Sequence, residues 1–375
     1  MDHVVGGSQN HSSQIVAVTS VSPAKLTEPR QVCQILINDE TENQKINAIR
    51  KIEGCYQIVL YYENVQEEDH DWSLTGWIVE SLARALLDHP LLAGRLQKKD
   101  ITGFEIVSND SGIRLLEANY PTTLSEFLEL KEKECDDHDH EAELVFWNGI
   151  DVQFPQFSPL FYVQVTNFKC GGYSIGISCS LLLADILVVQ KILNKWAQIH
   201  NMLPSNTSNE EIVGTTIFNH PRLKNPKSLP SEDLINHTQN KNKVQSVTFK
   251  VTTKNVTFSK ELWRELAMLC IEEMEQKLDM KIGSSFTLVV KESFEVIEVE
   301  SFTKSGYSTM KELSLKNQII CITSWNDFGM NEVVFHEENK VVHVSCWVGC
   351  VADAHVMIVP CQEENAYAVI VVSTC

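Results

Sequence analysis

The chain has 375 residues, 43% of them hydrophobic, and a formal net charge of −19. That length and apolar content can fill two hydrophobic cores, and the acidic balance excludes a general affinity for nucleic acid, anionic lipid or acidic partners, which all need clustered basic residues. Eleven cysteines at no repeating spacing and the absence of a charged-then-apolar leader point to free thiols in a reducing compartment, and no apolar run reaches the roughly 18 residues of a membrane-crossing helix.

In chain order, residues 1–14 read as a disordered tail, and Gln14 to Val18 opens the first strand. Ile58 to Tyr62 is a run of β-branched and aromatic residues, the composition of a strand. A helix follows over Leu74 to Leu87 and ends at His89-Pro90, because proline disfavours helical geometry in the residue before it. Leu124 to Leu130 reads as a short helix, and Lys131 to Glu143 is strongly charged. Leu160 to Lys169 and Tyr173 to Cys179 form a hairpin of strands. Cys170-Gly171-Gly172 is its turn, since paired glycines tolerate positive φ. The period then changes: from Leu182 onward, Ile186, Val189, Leu193 and Trp196 recur at helical spacing as far as His200.

Residues 204–242 mix four prolines with Ser, Asn and Lys and lose all hydrophobic period, which marks a crossover linker between a unit over 15–203 and one over 243–375. The second unit opens with a strand over Val244 to Val251 and a helix over Ser259 to Leu278. Further strands read over Phe286 to Val290, Ile319 to Thr323, Val341 to Val348, His355 to Val359 and Ala366 to Val372.

The strand-to-helix junction Ser178-Cys179-Ser180-Leu181-Leu182-Leu183-Ala184-Asp185 carries the most information. Around it stand Ser81 to Leu96, which ends in Pro90-Leu91-Leu92-Ala93-Gly94-Arg95, then Asn109 to Arg114, Phe157-Ser158-Pro159-Leu160, Phe168 to Gly172, and Val21-Ser22-Pro23. Together these blocks resemble the plant BAHD acyltransferase superfamily, and Asn109 to Arg114, Phe157 to Leu160 and Phe168 to Gly172 resemble most closely its eceriferum/glossy clade of wax-deposition proteins. The resemblance is dense up to residue 200 and thin between about 205 and 320. It implies an α/β, two-domain, chloramphenicol acetyltransferase-like fold of mixed sheets with flanking helices. The second domain is shortened here, because relatives carry a longer stretch than Lys291 to Lys316 and continue beyond Cys375 into a closing helix.

Members of that superfamily carry His-x-x-x-Asp, in which the histidine takes the proton of the acceptor alcohol or amine as it attacks a coenzyme A thioester. Here Leu181 stands in the place of the histidine, and Ile186 in that of the glycine after Asp185. Leucine cannot exchange a proton, and losing a general base removes about 10²–10⁴-fold in rate. The resemblance makes Asp185 structural, turned away from the channel to pair with an arginine. The Asp-Phe-Gly-Trp-Gly motif survives only as Asp327-Phe328-Gly329 before Met330-Asn331.

Other chemistry reads more weakly. Gly176-Ile177-Ser178-Cys179-Ser180 resembles a nucleophile elbow without its last glycine, but Ser178 alternates within a strand, and Cys179 reads as a buried strand cysteine. Asp136-Asp137-His138-Asp139-His140 holds metal-ligating types without a metal spacing and reads as a solvated acidic loop. Cys346 and Cys350 read as packed thiols, and the stripe Leu262 to Met274 as core. The expectation is a non-catalytic, BAHD-shaped accessory protein that needs no cofactor, though coenzyme A thioesters could still bind. By the resemblance it acts on a fatty acid elongase condensing enzyme, as a monomer, in the cytosol or held by that partner at the cytoplasmic side of the endoplasmic reticulum. The alternative is an acyl-CoA-dependent transferase of non-amino-acyl groups, or a related lyase, with a substitute base.

Overall fold

The computed structural model describes residues 12–37, 46, 49–50, 54–63, 74–99, 103–133, 140–203, 244–252, 259–291, 295–304, 319–322, 328–336, 339–349, 354–361 and 367–374. The first half of the chain supplies strands β1 (Gln14–Val21), β2 (Val32–Ile37), β3 (Cys55–Tyr62), β4 (Arg95–Lys99), β5 (Gly103–Val107), β6 (Ile113–Tyr120), β7 (Phe161–Phe168) and β8 (Tyr173–Ser180), with helices α1 (Leu74–Asp88), α2 (Leu124–Lys133) and α3 (Ile186–Met202). The second half supplies β9 (Gln245–Thr252), α4 (Lys260–Leu278), β10 (Ser285–Val290), β11 (Val296–Thr303), β12 (Ile319–Ile322), β13 (Val341–Gly349), β14 (His355–Cys361) and β15 (Tyr367–Thr374).

These strands form two mixed sheets, of order β1-β6-β7-β8-β3-β13 and β12-β9-β15-β14-β10-β11-β2-β5-β4. Neither sheet is confined to one half of the chain. β13 crosses back to pair antiparallel with β3, from Val341 opposite Tyr62 to Gly349 opposite Cys55. In the other direction β2 pairs parallel with β11, setting Gln34 opposite Val296, and brings β5 and β4 with it. The linker residues 204–242 and the tail residues 1–11 lie outside the described residues.

The hairpin β7–β8 forms where the alternation predicts it, with Gly171 at φ 85° in its turn. Glycine is also needed inside β8: a Cβ on Gly176 would stand 1.8 Å from the Leu144 carbonyl oxygen. Inward residues of β3 and β8 (Tyr56, Ile58, Leu60, Ile175, Ile177, Cys179) join α1 and α3 in the larger core. α3 buries Ile186, Val189, Ile192, Leu193, Trp196 and Ala197, and each large apolar side chain so placed contributes about 1.5–3 kcal/mol. Ser81 of α1 ties the helices together, accepting from Trp196 Nε1 at 2.9 Å while its own hydroxyl donates to the Ile78 carbonyl. A second core lies under α4, where Trp263, Leu266, Cys270 and Met274 meet β9, β10, β14 and β15.

The Pro-x-x-Ala-Gly-Arg block also serves the fold. Arg95 is buried and donates to the carbonyls of Gly94, Gly112 and Ser111, which pins the loop before β6 to the start of β4. β2, β4, β5, β6 and β11 are strands that the sequence pattern did not single out.

Candidate functional site

The junction after β8 is a turn rather than the first turn of a helix. Ser180 holds it: its carbonyl accepts from the N–H of Leu183 at 2.9 Å and of Ala184 at 3.3 Å, and its hydroxyl accepts from Leu182 N. Leu181 donates its own N–H to the Gly54 carbonyl. The helix expected from Leu182 starts instead at Ile186, after the Ser180 turn, because Asp185 is extended (φ −93°, ψ 171°) and caps α3. Asp185 Oδ1 accepts from Leu187 N at 2.9 Å and Val188 N at 3.0 Å, which satisfies two of the donors a helix start leaves open.

Leu181 is 2% exposed and packs within the larger core, so its position is apolar as well as protonless. The arginine expected beside Asp185 is not found among the described residues. The buried cation that faces it is Lys291, just past β10, at 8% exposure. Burial lowers the Lys291 pKa below the ordinary lysine value, and Asp185, Cys179 and Cys33 each act to raise it. Tyr56 closes the group from β3: its hydroxyl donates to Met357 Sδ at 3.3 Å, and burial, reinforced by Asp185, pushes its pKa well above the usual phenol value. Burial also raises the Cys179 thiol to about 12, so it carries no thiolate at neutral pH.

Of the second motif, Asp327 lies outside the described residues. Phe328 is half-buried against the larger core, and Gly329 adopts φ 70°. A Cβ on Gly329 would sit 3.4 Å from Gln190 Nε2, so this remnant packs on α3, the helix that Asp185 caps. The fold thus gathers Leu181, Asp185, Phe328 and Gly329 around one helix, although about 150 residues of chain separate the two motifs.

The profile of the Transferase family matches residues 52–282, a span that runs from β3 through the Leu181 turn to the end of α4. The chain belongs to the BAHD transferase family. It is similar to Protein ECERIFERUM 26-like of Arabidopsis thaliana, 26% identical over 176 residues, which is 44% of this chain and 39% of that protein. It is similar to Protein ECERIFERUM 26 of the same plant at 30% identity over 36% of this chain and 31% of that protein. The chain thus matches less than half the length of these curated relatives. The solved structure of vinorine synthase aligns over 96% of this chain and 94% of that one at 12% identity and a TM-score of 0.45.

The other sequence candidates are not assembled into chemistry. Ser178 Oγ is buried with Gln57 and Tyr162 as its neighbours in register, so no imidazole stands opposite it on either adjoining strand. Cys346 is buried with a thiol pKa raised by that burial, and Cys350 and Asp136 to Asp139 lie outside the described residues. No group of three His, Cys, Asp or Glu side chains is placed to hold a metal ion among the described residues. Leu266, Leu269 and Met274 of the α4 stripe are buried, while Leu262 and Met268 are half-buried at the edge of the second core.

The sequence marks Lys131 to Glu143 only as strongly charged, and the structure shows that its two ends belong to a buried network. Glu141 is fully buried on the outer face of the six-stranded sheet, where Lys131 pairs with it at 2.9 Å, Tyr61 donates to it at 2.7 Å, and Ser345 donates as well. Lys131 also donates to Ser345 Oγ at 2.8 Å and to His343 Nε2 at 2.6 Å. The partners come from α2, β3 and β13, up to 214 residues apart, and no local spacing signals them.

Proposed function

We propose that this BAHD-family chain is a non-catalytic accessory protein of very-long-chain fatty acid elongation, serving cuticular wax or related lipids by binding an elongase condensing enzyme. The observation that carries this reading is Leu181: the position that holds the proton acceptor in the BAHD motif is a leucine sealed in the core, while Asp185 continues as a helix cap and a counter-charge to Lys291. A scaffold that keeps its strand, turn and cap after losing the base fits a role in which shape matters and proton transfer does not. The similarity to ECERIFERUM proteins supports the same context. No resident cofactor is required in this reading, and a coenzyme A thioester could still occupy the junction as a ligand. No helix among the described residues is long and apolar enough to cross a membrane, so placement at the cytoplasmic side of the endoplasmic reticulum would come through the partner.

The test is the fatty acid profile of yeast expressing a plant condensing enzyme with and without this chain. Longer acyl chains in the co-expression alone, persisting in Asp185→Asn, are the expected result. An unchanged profile with both proteins folded would remove the reading. Purified protein that transfers acyl groups from coenzyme A donors would establish the alternative, a transferase with a substitute base. Leu181→His should not by itself create an efficient acyltransferase, because the altered Asp-Phe-Gly remnant stays as it is.

A further inference from the structure

The nine-stranded sheet carries a row of buried polar side chains, two of whose hydroxyls have no partner among the described residues. Thr287 of β10 stands opposite His355 of β14, His355 opposite Ser373 of β15, and Ser373 opposite Ser246 of β9. Residues paired across strands share a face, and the period of two puts this row on the face that also carries Val289, Met357 and Val371. Those three belong to the core shared with the six-stranded sheet. The opposite face, with Phe286, Leu288, Val356 and Val372, packs on α4.

Thr287 and His355 are each 1% exposed and Ser373 is fully buried. Thr287 Oγ1 and Ser373 Oγ meet no hydrogen-bonding group of the protein among the described residues. With strands about 4.8 Å apart, the two hydroxyls stand about 10 Å apart with the imidazole between them. A buried hydroxyl without a partner weakens a fold, whereas valine and alanine would fill the same positions without that cost. Groups of this kind, placed together against stability, mark a ligand-facing surface.

We propose that Thr287, His355 and Ser373 form a binding site for the uncharged oxygen of a long-chain amphiphile, an alcohol hydroxyl or an ester carbonyl. An anion would need a buried counter-cation. The buried lysine on this face among the described residues, Lys291, lies two residues beyond Val289 and faces Asp185. The apolar step next to the row, Val289, Met357 and Val371, suits a hydrocarbon chain. Met357 also receives the Tyr56 hydroxyl, so a chain running along this face from the row would approach the Leu181 turn. The oxygen class follows from the row itself, and the choice of a long chain rests on the lipid-related function proposed above.

The test uses the full chain with isotope-labelled histidine, the His355 ring being assigned with His355→Gln. Titration with 1-dodecanol and with methyl dodecanoate should give a saturable shift of the His355 ring signals for at least one of them and none for dodecane; which one responds distinguishes alcohol from ester. The double variant Thr287→Val/Ser373→Ala should weaken that binding about tenfold and raise the melting temperature of the ligand-free protein, since it removes unsatisfied groups. An equal response to dodecane, no response to either oxygenated probe, an unchanged affinity in the double variant, or a lowered melting temperature would overturn the proposal. The condensing enzyme takes no part in this measurement, so its failure and the failure of the accessory reading are told apart.

Discussion

The two faces of the six-stranded sheet carry opposite kinds of polar chemistry. On the outer face, Lys131, Glu141, Tyr61, Ser345 and His343 lie within hydrogen-bonding reach of one another, a set of residue types that could serve nucleophilic catalysis. On the inner face Leu181 is buried in the larger core, and Asp185 accepts from two N–H groups of α3. The difference teaches that satisfaction separates structural from functional polar groups better than residue type does. The outer network closes on itself: Ser345 gives its proton to Glu141, and Lys131 fixes His343 Nε2 as an acceptor.

The contrast breaks most readily at Glu141. Glu141→Ala leaves the Lys131 ammonium between His343 and Ser345 without its counter-charge. It should cost about 3 kcal/mol in urea denaturation, the low end for a broken buried pair because Lys131 keeps some solvent contact. Lys131→Met/Glu141→Leu should recover most of that loss, and a double variant as unstable as the single one would show that the network does more than balance its own charges.

The inner face is expected to respond to pH through His200, near the end of α3. Its ring contacts Ser81 Oγ at 3.0 Å and packs edge-on to Phe335, and burial lowers its pKa to about 4. The folded state thus holds His200 neutral where the unfolded chain, at 6.5, binds a proton. Its contribution is fully present above about pH 6.5 and is lost as pH falls toward about 4, at up to about 1.4 kcal/mol per pH unit. Denaturation midpoints measured from pH 7 to 4.5 should fall more steeply in the native chain than in His200→Phe. Equal slopes would place the acid sensitivity elsewhere.

A smaller effect separates the two jobs of Asp185. Asp185→Asn keeps an N-cap acceptor and removes the charge facing Lys291, whereas Asp185→Ala removes both, so the alanine variant should be the less stable by about 1 kcal/mol in thermal or urea unfolding. Without Asp185 the Lys291 pKa, already lowered by burial, falls further. The native state then sheds that proton before the unfolded one does, and stability should rise with pH below the ordinary lysine pKa. That rise should be larger in Asp185→Asn than in the native chain and absent when Lys291→Met is added. A rise that persists with Lys291→Met would assign it to another group.

The β7–β8 hairpin and its turn were legible because alternation and paired glycines are local signals. So was the stripe of α3 from Ile186 to Trp196, but its first turn was not: Leu181 to Leu183 are good helix formers, and only the hydrogen bonds of Ser180 and Asp185 show that the helix waits until Ile186. The leucine at 181 was visible in the sequence. Its burial, and the lysine that stands where an arginine was expected, were not.

The sequence by itself determined the type of ten of the fifteen strands and of the four helices among the described residues, the family, and the leucine at 181, because each is written in local period or in a motif of a few residues. The tertiary structure decided which strands share a sheet, which charges lie buried together, and which hydroxyls have no partner. β13 joins β3 and β2 joins β11 across more than 250 residues of chain. Lys131 of α2 meets Ser345 of β13 through the packing of helix on sheet, and Thr287 lines up with His355 and Ser373 through sheet register. Period tells which face of a strand a residue takes, but only the pairing of strands fixes what lies across from it.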